Sequence, residues 1–221
     1  MAQREETKMN FFDTSKGIVC FLRHGQTDWN LNFKMQGREE IPLNSTGIAQ
    51  AQDCANGLAD ALQRAGISWT KIISSPLGRA KETAKIIKEA VGCEYFGADD
   101  RVIERDFGEL SGLVYEEYSK ATFNNVPEIR TVETIDAIME RLNDFIKDNV
   151  ANGERVLIVT HGAVTRIFAR NSKKSPKIPP DFERSIDNCH LVIYTYDQNE
   201  TELQAYNISP WELANLALDE E

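Results

Sequence analysis

GIVCFLRHGQTDWN, residues 17–30, is the stretch on which the fold turns. Its first part, Gly17 to Leu22, is a run of Ile, Val, Cys, Phe and Leu with no polar alternation, which reads as a central strand buried on both faces. The run stops at Arg23-His24-Gly25. Outward from it, short apolar runs alternate with amphipathic stretches, so the expected class is α/β with a largely parallel sheet. Ser45 to Ala65 keeps a helical period through Ile48, Ala51, Ala55, Leu58, Ala59 and Leu62, after a capping Asn44 or Ser45 and before Gly66. Lys71 to Ser74 reads as a short strand, and Leu77 to Val91 as the helix after it, closed by Gly92. Asp99 to Gly112 reads as a loop with a short helix beyond. Val132 to Val150 predicts a longer helix with Val132, Ile135, Met139, Leu142, Phe145 and Ile146 on one face. Val156 to Val159 is a second buried strand, followed directly by a helix from Ala163 to Arg170. Lys173 to Pro180 is a Pro/Lys-rich connector. Leu191 to Tyr196 and Glu202 to Ile208 flank the polar DQNET stretch, which predicts a final hairpin at one sheet edge.

Composition narrows the function classes. The 221 residues carry 25 Lys+Arg against 35 Asp+Glu, a formal charge of −10. Extended polyanions need a broad basic surface, so neither nucleic acid nor an acidic membrane is an expected partner. The length suits one well-buried domain, read as residues 17–210 between an N-terminal arm, 1–16, and an acidic C-terminal tail, 211–221. Cys20, Cys54, Cys93 and Cys189 lie far apart with no CxxC pair and read as reduced core thiols. The polar N-terminus has no apolar h-region, and no run approaches the ~18 apolar residues of a membrane span, so a cytoplasmic location is expected. Nothing in the pattern speaks to oligomeric state.

Only three histidines are present, at 24, 161 and 190, and the first two are followed by glycine. Three polar clusters fall just past strand ends, where ligands bind in open α/β sheets: Arg23-His24-Gly25, Ser74-Ser75 to Arg79, and Thr160-His161-Gly162. Taken singly each has a plain reading: a strand-end ion pair, a satisfied core histidine, or, for Arg79, one member of a solvated face with Lys81, Glu82 and Lys85. Their placement after successive strands favours chemistry. Two histidines and two arginines converging at one sheet edge would form a local anion site in an acidic protein. Phosphate suits it, because the guanidinium fork matches two phosphoryl oxygens and helix N-termini add N–H donors. His190, within the expected edge strand and without a companion motif, reads as structural.

Five strings occur in the order found in the histidine phosphatase (phosphoglycerate mutase-like) superfamily, which this chain resembles from about Ile18 to Ile208. They are FLRHGQTDWN at 21–30, MQGREEIPLNSTGIAQAQ at 35–52, SSPLGRAKETA at 74–84, ERDFGELSG at 104–112 and VTHGAVTR at 159–166. The resemblance implies a three-layer α/β/α sandwich with a mostly parallel central sheet, and phosphoryl transfer without metal or other cofactor. It implies that His24 is the nucleophile that becomes phosphohistidine, and that Arg23, Arg79 and a protonated His161 form the phosphate pocket. Glu104 matches the residue that protonates the leaving oxygen and then takes a proton from water. Asn30, Thr27, Gln36, Gly37 and Gly162 are the implied substrate-binding positions.

Acceptor choice divides this superfamily, water giving a phosphatase and a held phosphoglycerate a mutase. Where mutases of the cofactor-dependent type have a tyrosine three residues after the acid and a lysine eleven after it, this chain has Phe107 and Tyr115. Ala163 replaces the asparagine after the second HG, and Gly112 to Val159 leaves no room for the arginine-bearing insertion that holds the glycerate. The expected activity is therefore hydrolysis of a small phosphorylated metabolite by a phosphoric monoester hydrolase of this type. The alternatives are a phosphoglycerate mutase and an idle module that binds phospho-ligands, the latter disfavoured because His24 and Glu104 are both present.

Overall fold

The computed structural model describes residues 15–115, 132–179, 182 and 185–213. Strand β1 (Gly17–Arg23) lies at the centre of a seven-stranded sheet, order β3-β2-β4-β1-β6-β7-β5. The other strands are β2 (Lys71–Ser74), β3 (Tyr95–Ala98), β4 (Arg155–Thr160), β5 (Lys173–Lys174), β6 (Leu191–Asp197) and β7 (Glu200–Ile208). β3, β2, β4 and β1 run parallel, β6 is antiparallel to both its neighbours, and β5 is parallel to β7.

Alternation along β1 sends its side chains into two separate cores. Ile18, Cys20 and Leu22 pack with Ile72, Leu157 and Val159 against helices α2 (Ser45–Ala65) and α3 (Gly78–Val91). Val19 and Phe21 pack on the other face with Val156 and Ile158 against α4 (Ile135–Asn149) and α5 (Gly162–Asn171). The result is the three-layer α/β/α sandwich, with both faces of the parallel part covered. A four-residue helix, α1 (Asp28–Leu31), follows β1.

α2 spans the expected residues because both ends are marked: Asn44 accepts from the Gly47 N–H at 2.8 Å, and Gly66 turns left-handed at φ 64°. Ile48, expected on its buried face, is 44% exposed, since the face that packs is centred on Ala51, Cys54, Ala55 and Leu58. α4 begins at Ile135 and not at Val132, because the Thr134 side chain caps the Ala137 N–H. Ile138, Leu142, Phe145 and Ile146 form its buried stripe, while Ile135 stays exposed. The expected hairpin is present, its turn residues Gln198 and Asn199 both at positive φ. It does not lie at the edge: β6 is wedged between β1 and β7, and its first four residues are buried. His190 accordingly lies just before a central strand, its carbonyl accepting from the Arg23 N–H at 3.1 Å. Part of the Pro/Lys-rich connector supplies the true edge strand, β5.

The 99–112 loop contains two short 3-10 turns, Asp100–Val102 and Gly108–Leu110. The short helix expected beyond it, most of the arm and most of the acidic tail lie outside the described residues. All four cysteines are buried and unbridged. Among the described residues no helix is long and apolar enough to cross a membrane.

Phe21, Phe168 and Tyr194 meet edge to face in the second core, with ring centroids 5.2–5.6 Å apart. Phe21→Ala is expected to cost about 3–5 kcal/mol in urea unfolding. The same change at Phe96, 55% exposed on β3, should stay within about 0.5 kcal/mol.

Candidate active site

The register of β1 on β4 builds the site. Arg23 pairs with Thr160, so the next residues, His24 and His161, leave the sheet side by side, and their rings stand 5.1 Å apart centre to centre. The chain then passes directly over the start of α2. A Cβ on Gly25 would fall 2.4 Å from the Gly47 carbonyl oxygen, and one on Gly47 would fall 2.0 Å from that of Gln26. Both positions therefore require glycine, which explains a glycine after the first histidine.

His24 is buried, with Nδ1 2.6 Å from the Gly25 carbonyl oxygen. A carbonyl can only accept, so Nδ1 carries the proton and Nε2 keeps its lone pair. Arg79 Nε–H donates to that lone pair at 3.2 Å. Burial, and then the Arg79 and Arg23 guanidinium groups, hold the His24 pKa well below its usual value, so the ring is neutral. Thr83 on α3 steadies this turn: its hydroxyl accepts from the Gly25 N–H at 3.2 Å and donates to the Arg79 carbonyl at 2.8 Å.

Arg79 is fully buried. Its two terminal nitrogens donate to the carbonyls of Gly37 (2.8 Å) and Glu39 (2.7 Å). Gly37 can present its carbonyl this way because it sits at φ +53°, where an added Cβ would also lie 2.8 Å from Ser111 Oγ. Burial lowers the Arg79 pKa to about 10, against the pull of Glu104 and Glu40, which leaves it cationic at neutral pH. Glu40 also accepts from the Gly78 N–H at 2.9 Å, at the start of α3, where Leu77 offers no side-chain cap. Arg23 donates through Nη1 to the Ile186 carbonyl, and burial lowers its pKa too. Its Nε is buried without a hydrogen-bond partner and lies beside Gly162, where a Cβ would come within 3.3 Å.

His161 is completely buried, with Nε2 2.7 Å from Ser75 Oγ and Nδ1 unpartnered. Burial first, then Arg79, His24 and Arg23, push its pKa well below the usual value. The expected third cation is thus a neutral ring in this structure. Two guanidinium groups beside a fully buried ring make another positive charge costly.

Glu104 accepts from the backbone N–H groups of Arg105 (2.8 Å), Val164 (3.2 Å) and Ala163 (3.4 Å). The last two belong to the first turn of α5, a favourable seat for a carboxylate. The simpler pairing with Arg101 or the Arg105 side chain is not made: Arg101 engages Asp99 and Asp148, and Arg105 Nε donates to the Glu133 carbonyl. Thr27 and Asn30 cap α1 reciprocally, and the buried Thr27 hydroxyl also donates to Gln36 Oε1 at 3.0 Å. Asn30 spends its amide oxygen on that cap, which leaves Nδ2 as what it can offer a phosphoryl oxygen. Gly37 acts here through its carbonyl on Arg79, and Gly162 by giving room to Arg23.

Sequence reasoning missed Asn188. Its Nδ2 donates to the His24 carbonyl at 2.8 Å and lies 3.4 Å from Asn30 Oδ1. The antiparallel direction of β6 is the reason, since the residues preceding it come to the same edge as the ends of the parallel strands. Among the described residues no group of three His, Cys, Asp or Glu side chains could hold a metal ion.

A neutral imidazole with its lone pair met by a guanidinium, a second imidazole, and a carboxylate on a helix N-terminus thus stand together at the sheet edge of an α/β sandwich. The model of the histidine phosphatase superfamily (branch 1) matches residues 19–209, and the chain belongs to that superfamily. It is 36% identical over 86% of its length, and 94% of the relative's, to an uncharacterized phosphatase PhoE of Bacillus subtilis. It is also 29% identical to phosphoglycerate mutase-like protein 4 of Arabidopsis thaliana, over 91% of this chain and 90% of that one. Its fold matches a mycobacterial glucosyl-3-phosphoglycerate phosphatase solved with VO3, TM-score 0.70 at 22% identity, over 87% of this chain and all of the other.

The neutral histidines set a pH dependence. In the unfolded chain each imidazole takes up a proton below about pH 6.5, and in the folded pocket it does not. The unfolded state then binds more protons, so acidification through pH 6.5 destabilises the fold, by up to ~1.4 kcal/mol per pH unit for each ring. A His24→Gln, His161→Gln double variant should flatten the dependence of the urea midpoint on pH between 6.5 and 5. An unchanged slope would mean that the rings are already charged in the fold.

Proposed function

We propose that this protein hydrolyses a small phosphomonoester through a phosphohistidine at His24, without a metal. The locked tautomer of His24, with Nδ1–H on the Gly25 carbonyl and the Nε2 lone pair on the pocket side against Arg79, carries this reading. A phosphoryl oxygen takes over the Arg79 N–H, and Nε2 forms a bond to phosphorus as the ester P–O bond breaks. Arg23, Arg79 and His161 bear on the phosphoryl oxygens. Glu104, once protonated, gives its proton to the leaving oxygen. It then takes one from the water whose oxygen bonds to phosphorus as the P–N bond breaks. Ester and water become alcohol and inorganic phosphate, with the enzyme returned to its starting state.

Water as acceptor is favoured over a second phosphoglycerate by particular residues. Phe107 is buried and packs toward Gly37, in the place where the mutase pattern has a tyrosine, and Ala163 has no side-chain amide where that pattern has an asparagine. Resemblance to a relative named as a phosphatase over nearly its whole length supports the same side. A focused positive pocket in a chain of net charge −10 suits a small phosphate ester and not a nucleic acid or membrane surface.

Release of phosphate from p-nitrophenyl phosphate should persist in EDTA and fall by roughly three orders of magnitude or more in His24→Ala. A labelled phosphoenzyme, labile in acid and stable in base, should form in wild type only. Near-normal turnover by His24→Ala, or loss of turnover in EDTA, would overturn the reading. With 2,3-bisphosphoglycerate and 3-phosphoglycerate together, any product should be inorganic phosphate. Rapid formation of 2-phosphoglycerate would show a mutase.

A further inference from the structure

Ser75 is fully buried at the end of β2, its N–H held by the Val159 carbonyl at 2.9 Å, and the mechanism above does not use it. Its oxygen accepts from the Leu77 N–H at 3.3 Å and lies 2.7 Å from His161 Nε2. One hydroxyl hydrogen remains. Among the described residues, His161 Nε2 is the acceptor within reach of it. The neighbouring Ser74 hydroxyl does not compete, because it bonds to the Ser75 carbonyl and Tyr95. The His161 backbone is fixed independently, its carbonyl accepting from the Thr165 hydroxyl at 2.7 Å.

We propose that Ser75 is a positioning residue for phosphoryl transfer: its hydroxyl donates to His161 Nε2, which places the ring proton on Nδ1 and makes that atom a donor to the phosphoryl group. A neutral imidazole has one N–H, so the partner of one nitrogen decides the role of the other. With the opposite tautomer, Ser75 would hold a buried hydroxyl hydrogen with no acceptor, and Nδ1 would turn a lone pair toward an anion. With Nδ1–H, every polar atom of the two side chains is matched except one donor. That donor has a companion in Arg23 Nε, also buried and unpartnered, beside Gly162, the residue after His161. Two unmatched donors, one on the residue before the nucleophile and one on the ring 5.1 Å from it, are what a phosphoryl group with its oxygens would bond.

The inference rests on reading the pocket as a phosphoryl site, and the test separates the two. In protein labelled with ¹⁵N-histidine, with the His161 ring assigned by its loss in His161→Gln, wild type should show the proton on Nδ1. Inorganic phosphate should shift that resonance. Ser75→Ala should lose the single tautomer, and with p-nitrophenyl phosphate its kcat should fall about 10- to 100-fold with KM changed less than threefold. Ser75→Thr, which keeps the hydroxyl, should recover most of kcat. A proton on Nε2 in wild type overturns the proposal without recourse to any variant, as does a folded Ser75→Ala with kcat within twofold of wild type. If wild type shows the Nδ1 proton, set by Ser75, yet hydrolyses nothing, the phosphatase reading fails and the assignment of Ser75 holds.

Discussion

The parallel pairing of β1 with β4 is the constraint on which the rest of the molecule depends. Its register, Arg23 opposite Thr160, delivers two histidines to the same point on the sheet edge from positions far apart in the chain. The His24 N–H then bonds to the Thr160 carbonyl at 3.0 Å, extending the ladder one step past the strand end. A slip of one residue would separate the two rings and also exchange the two cores, since Val19 and Phe21 would face α2 and α3 in place of Cys20 and Leu22. Core packing and site geometry are therefore one requirement. Substitutions that loosen the Phe21, Phe168 and Tyr194 contact act on the site through this strand, without touching it.

Charge is handled by a division of labour. Burying Arg79 completely is tolerable because backbone carbonyls of Gly37 and Glu39 take its terminal nitrogens and His24 takes its Nε. These partners are dipoles and not carboxylates, so the cation is held without being neutralised and its field remains available to an anion. Burial, and then the same field, keep both imidazoles uncharged, which suits a nucleophile that needs its lone pair. Carboxylates are kept one step away, at helix N-termini: Glu40 on α3 and Glu104 on α5. An acidic protein can in this way present a positive pocket a few ångströms across.

Much of this was legible in the sequence, and the illegible part has a common cause. β1, α2, β2 and α3 were readable to within a residue because each has a periodic or continuous apolar pattern and most end at a cap or glycine. β3 was not, since Tyr95 to Ala98 is short, half exposed and interrupted by Gly97. Nor does any local pattern say that β6 slots in beside β1. His24, Arg23, Arg79, Glu104 and His161 stood out through recurring motifs. Ser75, Thr83 and Asn188 carried no role by themselves, because hydroxyls and amides are common everywhere and theirs are defined by partners 86, 58 and 164 positions away. The lowered pKa of His161 is illegible for a related reason, as it depends on burial among charges brought together only by folding.

Those supporting residues also divide the polar groups of the site into two kinds. Thr27, Gln36, Thr83 and Asn188 form side-chain bonds within the protein, and these help hold the backbone of the nucleophile and of Asn30 in place. Arg23 Nε and His161 Nδ1 are left unmatched. A buried polar group without a partner costs about 1–3 kcal/mol, and folded proteins keep few of them. One belongs to the residue before the nucleophile and the other to the ring packed 5.1 Å from it. In the phosphatase reading proposed above, these donors are where an anion would bind, so the positions that cost the fold stability are the ones a ligand would stabilise. The bonds made by Thr27, Thr83 and Asn188 tie the walls around these donors to the α1 cap, to α3 and to the His24 carbonyl.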